Sequence, residues 1–195
     1  LVEVTSPEMH PGFKAILEEH YNPIILAIRN MNKPVVAAVN GVAAGAGANI
    51  ALACDIVVAS ETASFIQAFS GIGLIPDSGG TYFLPRLVGF QKAMAIAMLG
   101  DKISAAEAET MGMIYKSAPA DSFEETINTL ATRLAGMPTY GLALTKKAFQ
   151  EGLENTLEAQ LEVESRLQIA ASESADYHEG VTAFIEKRKP VFQGK

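Results

Sequence analysis

The chain has 195 residues, 49% hydrophobic and 19% charged, enough for one full domain with a sizeable core and a helical appendage. A net charge of −7 argues against nucleic acid as the main partner, while leaving room for a small anionic ligand at local basic residues. Every apolar run is cut by charge, Gly or Pro before membrane-spanning length, which argues against a membrane partner.

No stretch at the N-terminus resembles a signal peptide, and the default compartment is cytoplasmic or otherwise reducing. In chain order, Pro11 to Asn30 has helical spacing through Phe13, Ile16, Leu17, Ile24, Ile25 and Ile28, with Pro23 expected to kink or divide it. Pro34 to Val39 is a continuous Val-rich run ending at Asn40-Gly41, which predicts a buried strand. Gly45 to Cys54 is small and apolar and predicts a buried helix; Asp55 to Ala59 predicts the next strand. Strand, helix, strand in that order implies an α/β layer with a parallel pair. The single cysteine, Cys54, lies in an apolar run and reads as a buried structural thiol. Asp55 opens a strand and reads as structural.

From Thr81 onward the chain reads as mostly helical. Ser104-Ala105-Ala106-Glu107 and Ser122-Phe123-Glu124-Glu125 both have capping-box spacing. Ile114 to Ser117 is a candidate short strand. Ile127, Leu130, Leu134 and Met137 make a helical stripe ahead of Pro138, and 139–171 predicts long amphipathic helices. These patterns divide the chain into a core over 1–136 and a helical region over 137–195. No internal repeat is visible. His10, His20 and His178 are scattered without metal-ligand spacing, and no metal is expected.

Two turns carry the chemistry. Asn40-Gly41-Val42-Ala43-Ala44-Gly45-Ala46-Gly47 is not a P-loop, because no Gly-Lys-Ser/Thr follows. It is not a dinucleotide fingerprint either, because Ile50 stands where the third glycine belongs. What remains is a tight turn feeding a helix N-terminus, whose free N–H groups favour negative charge; the same small residues also suit close helix packing. Pro76-Asp77-Ser78-Gly79-Gly80 is not a serine-hydrolase elbow, since Pro76 replaces the first glycine. In isolation it is an ordinary turn with Asp as a helix cap. Its approach through Phe65, Phe69, Ile72, Leu74 and Ile75 is strongly apolar, which favours a functional carboxylate. An oxyanion turn plus one carboxylate is what proton transfer beside a carbonyl requires. Lys187-Arg188-Lys189 reads as a solvated helix face or a phosphate contact.

These motifs together resemble the crotonase, or enoyl-CoA hydratase/isomerase, superfamily, over Lys33 to Lys195. They are Lys33 to Gly41 with Gly45-Ala46-Gly47, then Cys54-Asp55-Ile56, Gly73 to Thr81, Leu84-Pro85-Arg86, and Glu179 to Phe184. Ala44 to Ala48, Ala68-Phe69-Ser70, Leu74 to Asp77 and Ser174 to Tyr177 are similar to the subgroup of isomerases acting on ring-epoxidised phenylacetyl-CoA. The resemblance implies a spiral of ββα units with a C-terminal helical trimerisation region, a homo-trimer or dimer of trimers, an acyl-CoA thioester substrate, and no cofactor beyond the coenzyme A of the substrate. It implies one oxyanion donor at the Ala46 N–H, between Gly45 and Gly47. The second donor would come from an upstream segment, typically Ala-Gly-x-Asp-Leu, so the first spiral turns are expected to precede this sequence.

Hydratases of this superfamily use two glutamates, matching Asn49 and Phe69 here. Neither residue activates water, and Phe69 is expected to exclude it. Asp77 matches a carboxylate position used by isomerases. The resemblance places Gly45, Gly47, Asn49, Phe69 and Gly80 at the substrate site, and Phe184 and Lys187 near the adenine and a phosphate of a neighbouring subunit's CoA. The expected activity is therefore isomerisation by one Asp. The alternatives are an enoyl-CoA hydratase and a non-catalytic scaffold or RNA-binding protein of the same fold, the last disfavoured by acidic charge and the retained Asp77.

Overall fold

The structure, a computed structural model, describes residues 12–195; Pro11 and His10 lie outside that range. It forms two compact units. The first comprises 12–30 and Val36–Glu125, the second Met31–Val35 and Thr126–Lys195.

The first unit begins with one α-helical turn, Phe13–Ala15, a π-helical stretch, Ile16–Tyr21, and helix α1, Asn22–Asn30. The chain does not break at Pro23. Its winding changes just ahead of it, where the Asn22 N–H reaches back five residues to the Leu17 carbonyl. Pro23 then sits in the first turn of α1, where a missing N–H costs little.

Two ββα passes follow. Strands β1 (Val36–Val39) and β2 (Val42–Ala44) lead into helix α2 (Ala46–Ala53). Strands β3 (Ile56–Ser60) and β4 (Ser64–Ile66), with a 3₁₀ turn at Ser70–Ile72, lead into α3 (Gly80–Val88) and α4 (Phe90–Leu99). Short β5 (Ile103–Ser104), α5 (Ala105–Thr110) and β6 (Lys116–Ala118) complete the unit, and α6 (Phe123–Ala135) crosses its boundary. One sheet has the order β1-β3-β6, all parallel; the other has β2-β4-β5, with β5 antiparallel.

Each pass therefore lays one strand on each sheet. Val36 pairs with Ile56, 20 residues on, and Val42 with Ser64, 22 residues on. This is a repeat of backbone, carried without a repeat of sequence. Its core is built from small residues, Ala48, Ala51, Ala59, Ala63, Ala105 and Ala108, around Leu52, Phe65, Leu84 and Ile103. Alanine on the facing elements lets sheet and helix approach closely at native packing density.

Cys54 is only half-buried, not enclosed as expected, because it ends α2. Asp55 is structural: its carboxylate pairs with Arg29 at 3.3 Å, and the same guanidinium lies over the Phe83 ring.

In the second unit, helices α7 (Thr139–Gly152) and α8 (Leu157–Ser172) form a hairpin. Gln160 bolts it, donating to the Ala148 carbonyl at 3.0 Å and accepting from Asn155 Nδ2 at 3.0 Å. Helix α9 (Ala175–Ile185) is capped by Ser174, which accepts from the Tyr177 N–H. The C-terminal segment folds back on α9: buried Asp176 accepts from the N–H groups of Gln193 (2.6 Å) and Gly194 (2.8 Å). Lys187-Arg188-Lys189 lies past the end of α9 and is not a helix face. Arg188 is held by Glu179 and Glu186, each at 2.6 Å.

Among the described residues no helix is long and apolar enough to cross a membrane, and no three His, Cys, Asp or Glu gather as a metal site.

Candidate active site

The glycine-rich stretch is not one loop. Val42–Ala44 is strand β2, and the turn proper is Gly45, at φ +55° and ψ −125°. Its N–H donates to the Ile66 carbonyl at 2.8 Å, tying the turn to the end of β4, and its carbonyl accepts from the Asn49 N–H. A Cβ at Gly45 would lie 3.6 Å from the Phe69 ring, in ordinary contact, so the positive φ explains glycine here better than space does. Ala46 is then the first residue of α2, and among the described residues no backbone acceptor takes its N–H. The dipole of the eight-residue helix adds partial positive charge at that end.

The second turn is set by hydrogen bonds around Asp77. The Gly80 N–H donates to the Asp77 carbonyl at 2.8 Å, closing a four-residue turn. Its central residues, Ser78 at φ +49° and Gly79 at φ +76°, have the sign pattern of a type I′ turn. A buried serine at positive φ is uncommon, and here its hydroxyl donates to the Asp77 carboxylate at 2.9 Å.

One side chain joins the turns. Asn49 is fully buried on α2, one helical turn from Ala46. Its Nδ2 donates to the Asp77 carbonyl at 2.9 Å, and its Oδ1 accepts from Gln67 Nε2 at 2.7 Å. Gly80 fits against it: a Cβ there would stand 2.3 Å from Asn49 Nδ2.

Of the sequence-predicted residues, Gly45, Ala46, Gly47, Asn49, Phe69, Asp77 and Gly80 all fall in the first unit. The contacts above link five of them, Gly45, Asn49, Phe69, Asp77 and Gly80; Ala46 and Gly47 follow Gly45 at the start of α2, and no contact is drawn for either. Asn49 sits behind the Asp77 loop with both amide atoms spent, and Phe69 is 6% exposed against the Gly45 turn. Phe184, 84% exposed, and Lys187 lie at the end of α9 in the second unit. The apolar approach divides: Phe65 and Phe69 are buried, whereas Ile72 and Ile75 are exposed.

Sequence reasoning missed Ser78 and Gln67. Ser78 was readable only as part of a turn. Gln67, 3% exposed, gave no signal, because a single glutamine just past a strand end reads as the start of a surface turn, even between Ile66 and Ala68.

Two small sheets, each built by one strand from each ββα pass and followed by C-terminal helices, are the crotonase fold, and the chain belongs to the Enoyl-CoA hydratase/isomerase family, whose sequence profile matches residues 3–195. Two relatives carry names with different activities. A protein named "probable enoyl-CoA hydratase" from Rhodobacter capsulatus is 50% identical over 184 residues, spanning 94% of this chain and 72% of that one. The 1,2-epoxyphenylacetyl-CoA isomerase of Escherichia coli K12 is 47% identical over 194 residues, spanning 100% of this chain and 73% of that one. Among solved structures, an enoyl-CoA hydratase from Polaromonas sp. JS666 superposes with a TM-score of 0.88 at 35% identity, covering 95% of this chain and 72% of that chain.

Proposed function

We propose that the protein is an acyl-CoA isomerase in which Asp77 is the acid/base and the Ala46 N–H is one oxyanion donor. The carrying observation is the composition of the site. The side chains seen against the Asp77 loop include Asn49, Ser78, Phe83 and Ile25, and the Gly45 turn faces Phe69. None of these is a second base. A lone carboxylate takes a proton from the carbon beside the thioester and returns it to another carbon, conserving atoms and charge. Addition of water needs a further group to hold and deprotonate the nucleophile.

Hydrogen bonding from Ala46 stabilises the enolate oxygen that forms when the proton leaves. No residue of this sequence is assigned as the second donor. Coenzyme A enters as part of the substrate. The kinship with the epoxyphenylacetyl-CoA isomerase supports a ring-epoxidised phenylacetyl thioester or an unsaturated acyl thioester as the acyl class. A homo-trimer or dimer of trimers is proposed by family likeness, with Phe184 and Lys187 of one subunit meeting the adenine and a phosphate of CoA bound to its neighbour. The proposed division of labour keeps catalysis in 1–136 and assembly in 137–195, with a cytoplasmic location.

The second reading, an enoyl-CoA hydratase, draws on the 50% identical relative of that name. One experiment separates them. The full-length enzyme and Asp77→Asn are assayed on a panel of acyl-CoA esters for both isomerisation and hydration. Isomerisation without hydration, reduced by about 10²–10⁴-fold in a folded Asp77→Asn protein, is the expected outcome. Hydration as the faster reaction, or near-normal turnover in Asp77→Asn, would refute it.

A further inference from the structure

Asn49 stands out among the buried polar groups. It is fully enclosed, and the carbonyl it holds belongs to Asp77 rather than to its own helix. A buried amide that reaches across to a loop costs desolvation unless every polar atom is paired. Here the pairing also fixes which way the amide points. The Asp77 carbonyl can only accept, so Nδ2 faces it, and Oδ1 is left to accept from Gln67 Nε2. That carbonyl accepts twice, from Asn49 Nδ2 at 2.9 Å and from the Gly80 N–H at 2.8 Å. Gly80 lacks the Cβ that would push Asn49 away, since the Cβ would stand 2.3–2.7 Å from its side-chain atoms. Asn49 also rides on α2 three residues after Ala46, so one rigid helix carries both the free N–H and the bolt on the carboxylate loop.

We propose that Asn49, paired with Gln67, is a positioning residue that sets Asp77 in register with the Ala46 N–H, so that its removal lowers turnover through Asp77 rather than through substrate binding. The inference rests on the reading of Asp77 as the acid/base. Catalysis by a positioned base is steep in distance: a misplacement of about 1 Å costs on the order of 10²-fold.

The test uses the full-length enzyme with 3-hexenoyl-CoA as probe. It follows isomerisation and exchange of the α-proton in D₂O for wild type, Asp77→Asn, Asn49→Ala, Asn49→Asp, and Gly80→Ala alone and combined with Asn49→Ala. Asn49→Ala should lower kcat by about 10–100-fold with KM within about 2-fold. In Asn49→Asp the donor becomes an acceptor facing a carbonyl. Its activity relative to wild type should climb as pH falls and the new carboxyl regains a proton to donate.

The combined variant separates packing from positioning. Asn49→Ala vacates the space that a Cβ at position 80 needs, so melting temperature should recover relative to Gly80→Ala while kcat stays low. A folded Asn49→Ala enzyme with wild-type kcat, or a combined variant that recovers turnover together with stability, overturns the positioning role. If Asp77→Asn is inactive in the same series, the acid/base assignment survives that result. Near-normal turnover in Asp77→Asn overturns both.

Discussion

At the scale of single residues, the Asp77 turn concentrates cost. Gly79 occupies the left-handed region at φ +76°, and a Cβ there would lie 2.6 Å from the Phe83 ring. Gly79→Ala therefore meets two penalties, a strained backbone and an overfilled contact, each of about 1–3 kcal/mol. We expect a denaturant midpoint clearly below wild type with an unchanged slope; an equal midpoint would mean that the turn has slack. Ser78 holds the neighbouring positive φ without being glycine, and its hydroxyl bond to the Asp77 carboxylate gives the reason. Gln67 Oε1 is buried with no partner among the described groups, and so is Ser64 Oγ. The sequence made Asp77 and the glycines legible because turn chemistry is local. Asn49 was readable only as a residue that is not glutamate, since its two partners are 18 and 28 residues away.

At the scale of elements, local signals were legible in proportion to their length. The capping box at Ser104 is present as the spacing predicts: Ser104 accepts from the Glu107 N–H, and Glu107 accepts from the Ser104 N–H at 2.9 Å. The hydroxyl bond from Ser104 holds the Glu107 carboxyl below its ordinary range. Ser104→Ala should cost about 1 kcal/mol in thermal or chemical unfolding, and a shift indistinguishable from zero would show the cap to be idle. Strands β2 and β4 were not legible, because three small or mixed residues carry no period. The strand expected over Ile114–Ser117 forms two residues later, at Lys116–Ala118, because Met113 and Ile114 are used as core. The α9 end offers a pH test. The Arg188 guanidinium, helped by the Val191 N–H, lowers the Glu179 carboxyl from 4.5 to about 2. Its folded value lies below its unfolded one, so the stability it contributes is present above about pH 4.5 and is lost as pH falls toward 2. Melting curves recorded through that window should show the loss in wild type and a flatter profile in Glu179→Gln; parallel profiles would place the acid sensitivity elsewhere.

At the scale of the whole molecule, motifs spread from Lys33 to Lys195 made the family legible and, through it, the ββα spiral; the residues alone did not show the repeat, since pairing offsets of 20 and 22 residues leave no matching letters. The helical region poses the remaining question. Phe149, Leu157, Leu161 and Ile169 are 54–75% exposed, and Phe184 and Ile185 are 84% and 73% exposed. Apolar surface on this scale marks an interaction face, and a homo-oligomer is the occupant the family likeness favours. Lys187 stands beside it in the left-handed region at φ +57°, just past α9, with an exposed side chain. A lysine ammonium suits phosphate because it meets the anion without a fixed geometry. Lys187→Ala leaves the backbone requirement unchanged, so its effect reports the side chain. KM for CoA esters should rise several-fold, while KM for pantetheine-truncated esters and kcat for both stay near wild type, because the truncated substrate lacks the phosphates. Equal effects on the two substrates would remove the phosphate contact. Sedimentation of the full-length protein supplies the independent check: a trimer or hexamer is expected, and a stable monomer would exclude a site shared between subunits whatever the kinetics of Lys187→Ala.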